Sequence, residues 1–467
     1  MSEAAQLRAA VIGAGPSGFY ACGALLQAGF AVDLFDALPT PFGLIRSGVA
    51  PDHPKIKLVT RVFDKTAKRD GFRFFGGVEI GVDVAVAELR ARYDAVLHAV
   101  GTPHDNQLGI PGEDARGSVA SSAFVSWYNG HPTHADTSLD LDVERAVVIG
   151  NGNVALDVAR MLVLDPDELR TTDVADHALD AFAGSRVRDV TVLGRRGPAQ
   201  AAFTTPELAE LGRLSRADVS ADAAQLPLDA ASAAAVEADP ELQVRIELLR
   251  EYAARAPSGA SHNVALRFLR SPREILLGED GRVTGVRVAV NRLELQPDGR
   301  LAARPSGEEE TIPCGLVVRA VGYRGRALPG VPFDDERGLI PNAGGRVLED
   351  DAIRVGEYVT GWVKRGPSGV IGTNKQCALE TVAAIVADRD AGLLARGDGS
   401  ADASDPAAAD ASDAALEAWL EERCGHAVAW SGWDAIDAHE QAAGEPHGRP
   451  RVKLVDLDRM HAVVRGG

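Results

Sequence analysis

The sequence predicts an α/β fold made of two Rossmann-like dinucleotide-binding domains, the second inserted into the first. Three observations predict it. VIGAGPSGFY (11–20) is an apolar run, a glycine turn and the start of a helical pattern. VIGNGNVALDVA (148–159) repeats that order, with its first glycine 137 residues downstream of Gly13. HAVGT (98–102) and RAVGY (319–323) share one apolar–glycine ending on either side of the second unit, as expected if the chain leaves a domain and returns to it.

The elements follow in order from residue periodicity. RAAVIG predicts a strand over 8–13, GFYACGALLQAG a helix over about 16–28, and AVDLFD a buried strand over 31–36. FRFFGGVEIG (72–81) suggests hairpin structure, and YDAVLHAVGT a strand ending at Gly101. RAVVIGNGNVALDVARMLV opens the second strand–turn–helix unit, and VRDVTVLGRR supplies its next strand. The Ala-rich segment 217–239 suggests a surface helix, while 264–320 alternates as strands. The expected domains are therefore 1–104 with 322–467 as the outer one and 105–321 as the inserted one. Residues 397–413, GDGSADASDPAAADASD, have the acidic low-complexity composition of a disordered loop. The tail beyond, with Trp419, Trp430 and Trp433, is apolar enough to fold back onto the body.

Length and composition set bounds on function. A chain of 467 residues exceeds one core, and 45% hydrophobic residues with 49 glycines is globular α/β composition. A net charge of −18 argues against nucleic acid as a partner, yet leaves room for an acidic protein docking on a local basic patch. Cys22, Cys314, Cys377 and Cys424 lie far apart, with no CxxC or zinc-like spacing, against a disulfide framework or a chain-borne cluster. No run of 18 apolar residues predicts a membrane span, and the early first strand leaves no room for a signal peptide. The expected location is the cytoplasm.

The two fingerprints differ in chemistry. Gly13, Ala14, Gly15 and Gly18 lie in a GxGxxG turn between strand and helix, which admits a pyrophosphate to a helix N-terminus. The next strand ends in Asp36, a carboxylate suited to ribose hydroxyls of an unphosphorylated ribose such as FAD's. The second copy, Gly150, Gly152 and Ala155, is GxGxxA, and its next strand ends VLGRRGP. Arg195 and Arg196 stand where an acid would sit and suit a 2′-phosphate, which means NADP(H) rather than NAD(H). One dinucleotide would remain as redox relay and the other visit as hydride source. Gly366, Gly369 and Gly372 precede a helix of about 14 residues, whose N-terminus would stabilise charge on a reduced flavin.

The chain resembles the NADPH–ferredoxin reductases of the adrenodoxin-reductase type. The match is carried by PTPFGLIRSGVAPDHPKIK (39–57), VVIGNGNVALDVAR (147–160), VLGRRGPAQAAFTTPEL (192–208), GWVKRGPSGVIGTNK (361–375) and GEPHGRPRVKL (444–454). The resemblance implies FAD, NADP(H) and electron delivery to a small acidic iron–sulfur ferredoxin, by a chain expected to be monomeric. It implies Asp36, Leu44 and Ile80 as FAD contacts, with Trp362 and Gly369, Val370 and Ile371 near the flavin. It implies Asn151, Gly152, Asn153, Val154, Arg195, Arg196 and Glu207 for NADPH, and His53, Asp157 and Glu210 near the nicotinamide or in proton handling. The family's basic grip on its ferredoxin does not map cleanly here.

Each signal also has an ordinary reading. His53 lies in Asp52-His53-Pro54, a turn that by itself suggests a solvated histidine. Asp157 would interact favourably with its helix dipole, and Glu207 and Glu210 share a helix face as ordinary surface acids do. Lys57, Arg61, Lys65 and Lys68, spaced four, four and three, form one basic stripe on a helix and a landing surface for an acidic ferredoxin, with Arg245 and Arg250 as rivals. The enzyme alternatives are a glutamate-synthase-like flavin subunit, whose cysteine-rich segment is not seen here, and a general NADPH diaphorase. The non-enzyme alternative is an NADP(H)-sensing scaffold, which loss of a phosphate-turn glycine would have favoured.

Overall fold

The computed structural model of this chain describes residues 6–369, 371–394 and 413–466. It divides into two units: Met1–Val49 with His53–His104 and Tyr323–Gly467, and Ala50–Asp52 with Asp105–Gly322. The acidic segment 397–413, expected to be a loop, lies outside the described residues except at its end.

The first unit is built on a seven-stranded sheet. Its order is Asn342–Ala343, Arg346–Glu349, Ala352–Val359, Ala95–His98, Arg8–Ile12, Ala31–Asp36, Phe72–Gly76. The last five pair in parallel, and the first two join antiparallel. Parallel strands covered on both faces read as continuous apolar runs, which is why RAAVI carries no polar alternation. Ala9 and Val11 belong to the core on one face, Ala10 and Ile12 to the core on the other. Asp33 interrupts the next strand at zero exposure. It is neutralised there: Arg73 donates to both carboxylate oxygens at 2.7 Å, Arg8 at 3.1 Å, and the Tyr93 hydroxyl at 2.8 Å. A buried acid survives only with such a set of partners.

The C-terminal tail closes onto this unit through a second buried charge. Glu440 accepts from Arg46 at 2.5 and 2.9 Å, from Arg451 at 3.2 Å and from the Leu454 backbone N–H at 2.8 Å. Lys453 Nζ donates to the Arg46 carbonyl at 3.1 Å. Trp433 packs in the same core, 5.4 Å from the Arg46 guanidinium. The block GEPHGRPRVKL is thus a structural clasp.

The second unit holds a six-stranded parallel sheet. Its order is Ser118–Ala120, Leu316–Arg319, Arg145–Ile149, Asp189–Leu193, His262–Arg267, Ala217–Ala221. Arg270–Leu277, Val283–Leu295 and Leu301–Pro313 form a separate antiparallel sheet.

Four sequence expectations are corrected. Phe72–Gly76 is a parallel strand, not half of a hairpin: after the glycine pair, Gly76 bridges Val428 of the tail instead of a local partner. In the Ala-rich segment, Ala217–Ala221 is a strand burying Ala217, Val219 and Ala221, and the helix spans only Ala230–Ala238. Alanine's small side chains had masked the period of two. The helix after the third glycine stretch spans Ile371–Asp390, 20 residues, and contains Gly372. The basic stripe is broken: Lys57 ends one helix, Pro54–Lys57, whereas Arg61 and Lys65 lie on another, Thr60–Ala67, and Lys68 caps it. Asp64 lies on that second helix; burial and then Asp437 raise its carboxyl.

Glu440→Gln leaves the Arg46 guanidinium buried, its side chain 8% exposed, without its main counter-charge. We expect a loss of about 3–5 kcal/mol in urea unfolding followed by tryptophan emission; a loss under about 1 kcal/mol would contradict the clasp. Burial alone would raise the Glu440 carboxyl, but Arg46 and then Arg451 hold it below the usual range. Its stabilisation is therefore full above about pH 4.3 and drains away as pH falls below that value.

Candidate functional site

The first glycine turn is shaped by contacts that exclude side chains. Gly13 has φ +105°, and a Cβ there would lie 2.6 Å from the Ala99 carbonyl oxygen. A Cβ on Gly18 would lie 2.0 Å from the Gly13 oxygen. Around Gly15, by contrast, a Cβ would meet nothing within 4 Å. Two of the glycines are thus demanded by the protein's own packing and the third leaves a cradle. Gly15 is the N-cap of Pro16–Gln27, with Pro16 at the first helical position and no side-chain cap on the helix N–H groups. That is the donor set a pyrophosphate requires.

Asp36 ends the neighbouring strand and is oriented by two backbone donors, Ala14 N–H at 2.7 Å and Leu38 N–H at 2.9 Å. Burial pushes its carboxyl up to about 6. Gly43 approaches Gly15 so closely that a Cβ would lie 2.9 Å from the Gly15 Cα, and Leu44, next in sequence, is exposed. Ile80 is instead buried beside Phe35 in the core. Gly361 approaches Ser17 of the same helix, where a Cβ would lie 2.4 Å from the hydroxyl oxygen. Trp362 follows, stacked on Tyr323 at 6.0 Å, with its buried indole N–H unsatisfied among the described residues. Gly369 has φ +80° and Ile371 starts the long helix; Val370 lies outside the described residues. An open cradle, an oriented carboxylate and an unsatisfied ring N–H in one unit fit a dinucleotide with an aromatic ring system.

The second turn repeats the first bond for bond. Gly13 N–H donates to Phe35 O at 2.7 Å and Gly150 N–H to Leu193 O at 2.9 Å. A Cβ on Gly150, at φ +131°, would lie 2.0 Å from the Ala320 oxygen, and one on Gly152 would meet nothing within 4 Å. Ala155 is fully buried at the third position. Asn151 O accepts from Ala202 and Phe203 N–H at 3.0 Å, and Asn153 Oδ1 accepts from Thr204 N–H at 2.8 Å. The two asparagines therefore hold the segment 202–204 against the turn. Val154, half-buried, follows them.

Register corrects the placement of the arginines. Ile12 pairs with Phe35, and Ile149 with Leu193, so Gly194 is the residue equivalent to Asp36. A Cβ at Gly194 would lie 2.5 Å from Asn151 Nδ2, so a larger residue there would have to displace that amide. Arg195 and Arg196 come one and two residues later, exposed and half-buried respectively. Among the described residues neither guanidinium has an ion pair or hydrogen bond. Their backbone is fixed, since Arg195 O accepts from Asn291 Nδ2 at 2.8 Å and Arg196 O from Leu269 N–H at 3.0 Å. Two anchored, uncompensated cations beside a phosphate-type turn can take a further phosphate.

The second unit also buries a charge cluster beyond its glycine turn. Arg160, 3% exposed, donates to Asp52 at 2.6 and 3.2 Å and to Asp157 at 2.6 Å, with Glu207 at 3.7 Å. Burial disfavours its charge, but Asp157 and then Asp52 hold it firmly protonated. Glu210 is half-buried on the helix Thr205–Leu211 with Glu207. His53 belongs to the first unit, half-buried at the N-terminus of Pro54–Lys57. Asp52 and Arg160 were missed by the sequence reading, although the i,i+3 spacing of Asp157 and Arg160 was a readable sign. Arg245, a rival docking residue, donates to the carbonyls of Ala201 and Phe203 and so supports that loop.

The two kinds of glycine should separate experimentally. Gly13→Ala is expected to abolish soluble folded protein, because the methyl has nowhere to go. Gly15→Ala should unfold at the parental temperature yet lose most of its dinucleotide affinity, read by absorbance after gel filtration. Equal behaviour of the two variants would contradict the cradle.

Comparison with known proteins agrees with this geometry. Residues 11–76 match the model of an NAD(P)-binding Rossmann-like domain. NADPH-ferredoxin reductase FprA of Mycobacterium tuberculosis is 49% identical over 470 residues, covering 98% of this chain and 99% of that protein. Human mitochondrial NADPH:adrenodoxin oxidoreductase is 42% identical over 96% of this chain and 90% of its own. The solved structure of Mycobacterium tuberculosis FprA in complex with NADPH superposes with a TM-score of 0.90, at 47% identity over 99% of this chain and all of that one. The chain belongs to the NADPH–ferredoxin reductase family of flavoproteins.

Proposed function

We propose that this chain is an FAD-dependent NADPH–ferredoxin oxidoreductase, with FAD held by the first unit and NADPH by the second. The observation that carries it is a pair of glycine turns alike in backbone but followed by opposite charge, Asp36 after one and Arg195–Arg196 after the other. FAD, when bound, would supply the chemistry of accepting one hydride from NADPH and releasing its two electrons one at a time to an iron–sulfur ferredoxin. The residues bind and orient. Asp36 accepts ribose hydroxyls, Gly15 and Gly152 admit the two pyrophosphates, and the helices that follow donate their free N–H groups. Arg195 and Arg196 take the 2′-phosphate, while Asn151 and Asn153 fix the turn that presents it.

Trp362, Gly369 and Ile371 line the flavin site in this reading, with Leu44 beside the Gly15 cradle. Asp157 and Glu207 serve as oriented negative charges for the nicotinamide half of NADPH, held in place by Arg160, and His53 and Glu210 handle its proton. The ferredoxin is acidic, and Arg61, Lys65 and Lys68 offer it an exposed basic surface on an acidic chain. No helix among the described residues is long and apolar enough to cross a membrane. We place the enzyme in the cytoplasm as a monomer.

Supplied with NADPH and an oxidised one-electron ferredoxin, the protein should reduce two ferredoxins per NADPH. Reduction of a dye but no ferredoxin would overturn the reading in favour of a diaphorase. Arg195→Gln with Arg196→Gln should raise KM for NADPH by at least about 100-fold, leaving NADH kinetics unchanged, since hydrogen bonds to charged groups are worth about 1.5–3 kcal/mol each. FAD binding should weaken as pH falls below about 6, because Asp36 is then protonated in the free protein and the proton must leave first. Asp36→Asn should flatten that dependence; an unchanged pH profile would remove Asp36 from FAD recognition.

A further inference from the structure

We infer that the second unit carries an oxyanion site, separate from its dinucleotide turn, made by Arg188 and Arg216 around His262. His262, 4% exposed, is the first residue of the strand His262–Arg267, and the arginines immediately precede the strands Asp189–Leu193 and Ala217–Ala221. All three therefore cluster at the N-terminal edge of the parallel sheet. The glycine turn and Arg195–Arg196 lie at its C-terminal edge, about 20 Å away along a strand of this length.

The bonding is unusual in its charge balance. Arg188 Nη1 and Arg216 Nη2 donate to one imidazole nitrogen, His262 Nε2, at 2.9 and 2.7 Å. The other nitrogen, Nδ1, lies 2.8 Å from Ser261 Oγ and 3.2 Å from Arg216 Nε, so Arg216 spans both ring nitrogens. Nε2, which accepts from both guanidiniums, carries no proton, so the imidazole is neutral. Burial, then Arg216 and Arg188, push its pKa down to about 4, with Asp165 from the neighbouring helix Pro166–Leu169 opposing. Two like charges thus converge on a single uncharged atom.

No carboxylate offsets them. Among the described residues neither Arg188 nor Arg216 has an ion pair, although the surrounding acids are engaged elsewhere. Glu168 accepts from Ser215, Glu144 pairs with Arg186, and Asp189 with Arg145. Arg188 Nη1 reaches only the carbonyls of Val187 and Ser185 besides the histidine. Arg188 Nε and Nη2, and Arg216 Nη1, keep their donors unused, and Arg188 is exposed to solvent. Convergent guanidinium donors without a counter-charge suit a dianion, which would relieve the mutual repulsion of the pair. The ligand class is a phosphate-type oxyanion, either free or as the head of a small phosphate monoester.

The test is residue-resolved. The His262 imidazole resonance, assigned with His262→Gln, is followed by heteronuclear NMR while inorganic phosphate or glycerol 3-phosphate is added at constant ionic strength. A saturable shift, with the imidazole pKa rising as the anion binds, is expected; the tighter ligand identifies the source. Arg188→Gln, an exposed change that should not disturb folding, is expected to weaken the affinity at least about tenfold. Arg186→Gln, whose side chain pairs with Asp142 and Glu144, should leave it unchanged. A shift that chloride reproduces, a failure of both ligands to saturate, or an Arg188→Gln protein that binds like the parent would overturn the site.

Discussion

Both units depend on one steric constraint: a backbone carbonyl occupying the space where the first fingerprint glycine would carry a side chain. In the first unit the oxygen belongs to Ala99, in the second to Ala320. Each alanine follows a strand that pairs in parallel with the fingerprint strand, and each N–H donates back to it, Ala99 to Ile12 at 2.8 Å and Ala320 to Ile149 at 2.7 Å. The echo between HAVGT and RAVGY is the trace of this contact, seen from the carbonyl's side. The glycines at 13 and 150 bring two strand ends within one atom of each other, and the helix that follows then starts over an open cradle at Gly15 or Gly152.

On that common frame, function is written by the residues one step beyond. A carboxylate closes the first unit's second strand and accepts the Ala14 N–H of the turn itself and the Leu38 N–H beyond it, so it is aimed before any ligand arrives. In the second unit the same place is glycine, with the Asn151 amide packed against it, and positive charge is carried by the next two residues. Anchoring their carbonyls to Asn291 and Leu269 costs the guanidiniums nothing and leaves them open. The buried charges Asp33 and Glu440 are compensated, the first by two arginines and a tyrosine, the second by Arg46 and Arg451. That contrast is what makes uncompensated arginines informative.

Much of this was legible in sequence because it is local. A glycine turn between an apolar run and a helical period lies within about thirty residues of the acid that ends its next strand, and its second copy within about fifty of the double arginine. What sequence reading missed depends on distant partners or on composition that hides a period. Gly76-Gly77 looks like a hairpin turn until Val428 is seen to take the place of the returning strand. ADVSA reads as helix because alanine is both the best helix former and small enough for a strand's buried face. Arg160 could be seen to pair with Asp157, but its bond to Asp52 joins residues more than a hundred apart. The offset of the arginines from the acid position needed the strand register, which no motif contains.

The most direct measurement is the visible spectrum of the purified protein during anaerobic titration with NADPH and, separately, with NADH. One turn retaining FAD and the other selecting a 2′-phosphate predicts a yellow protein, bleached by about one equivalent of NADPH and only by a large excess of NADH. A colourless protein, or equal bleaching by both nucleotides, would contradict the assignment of the two turns.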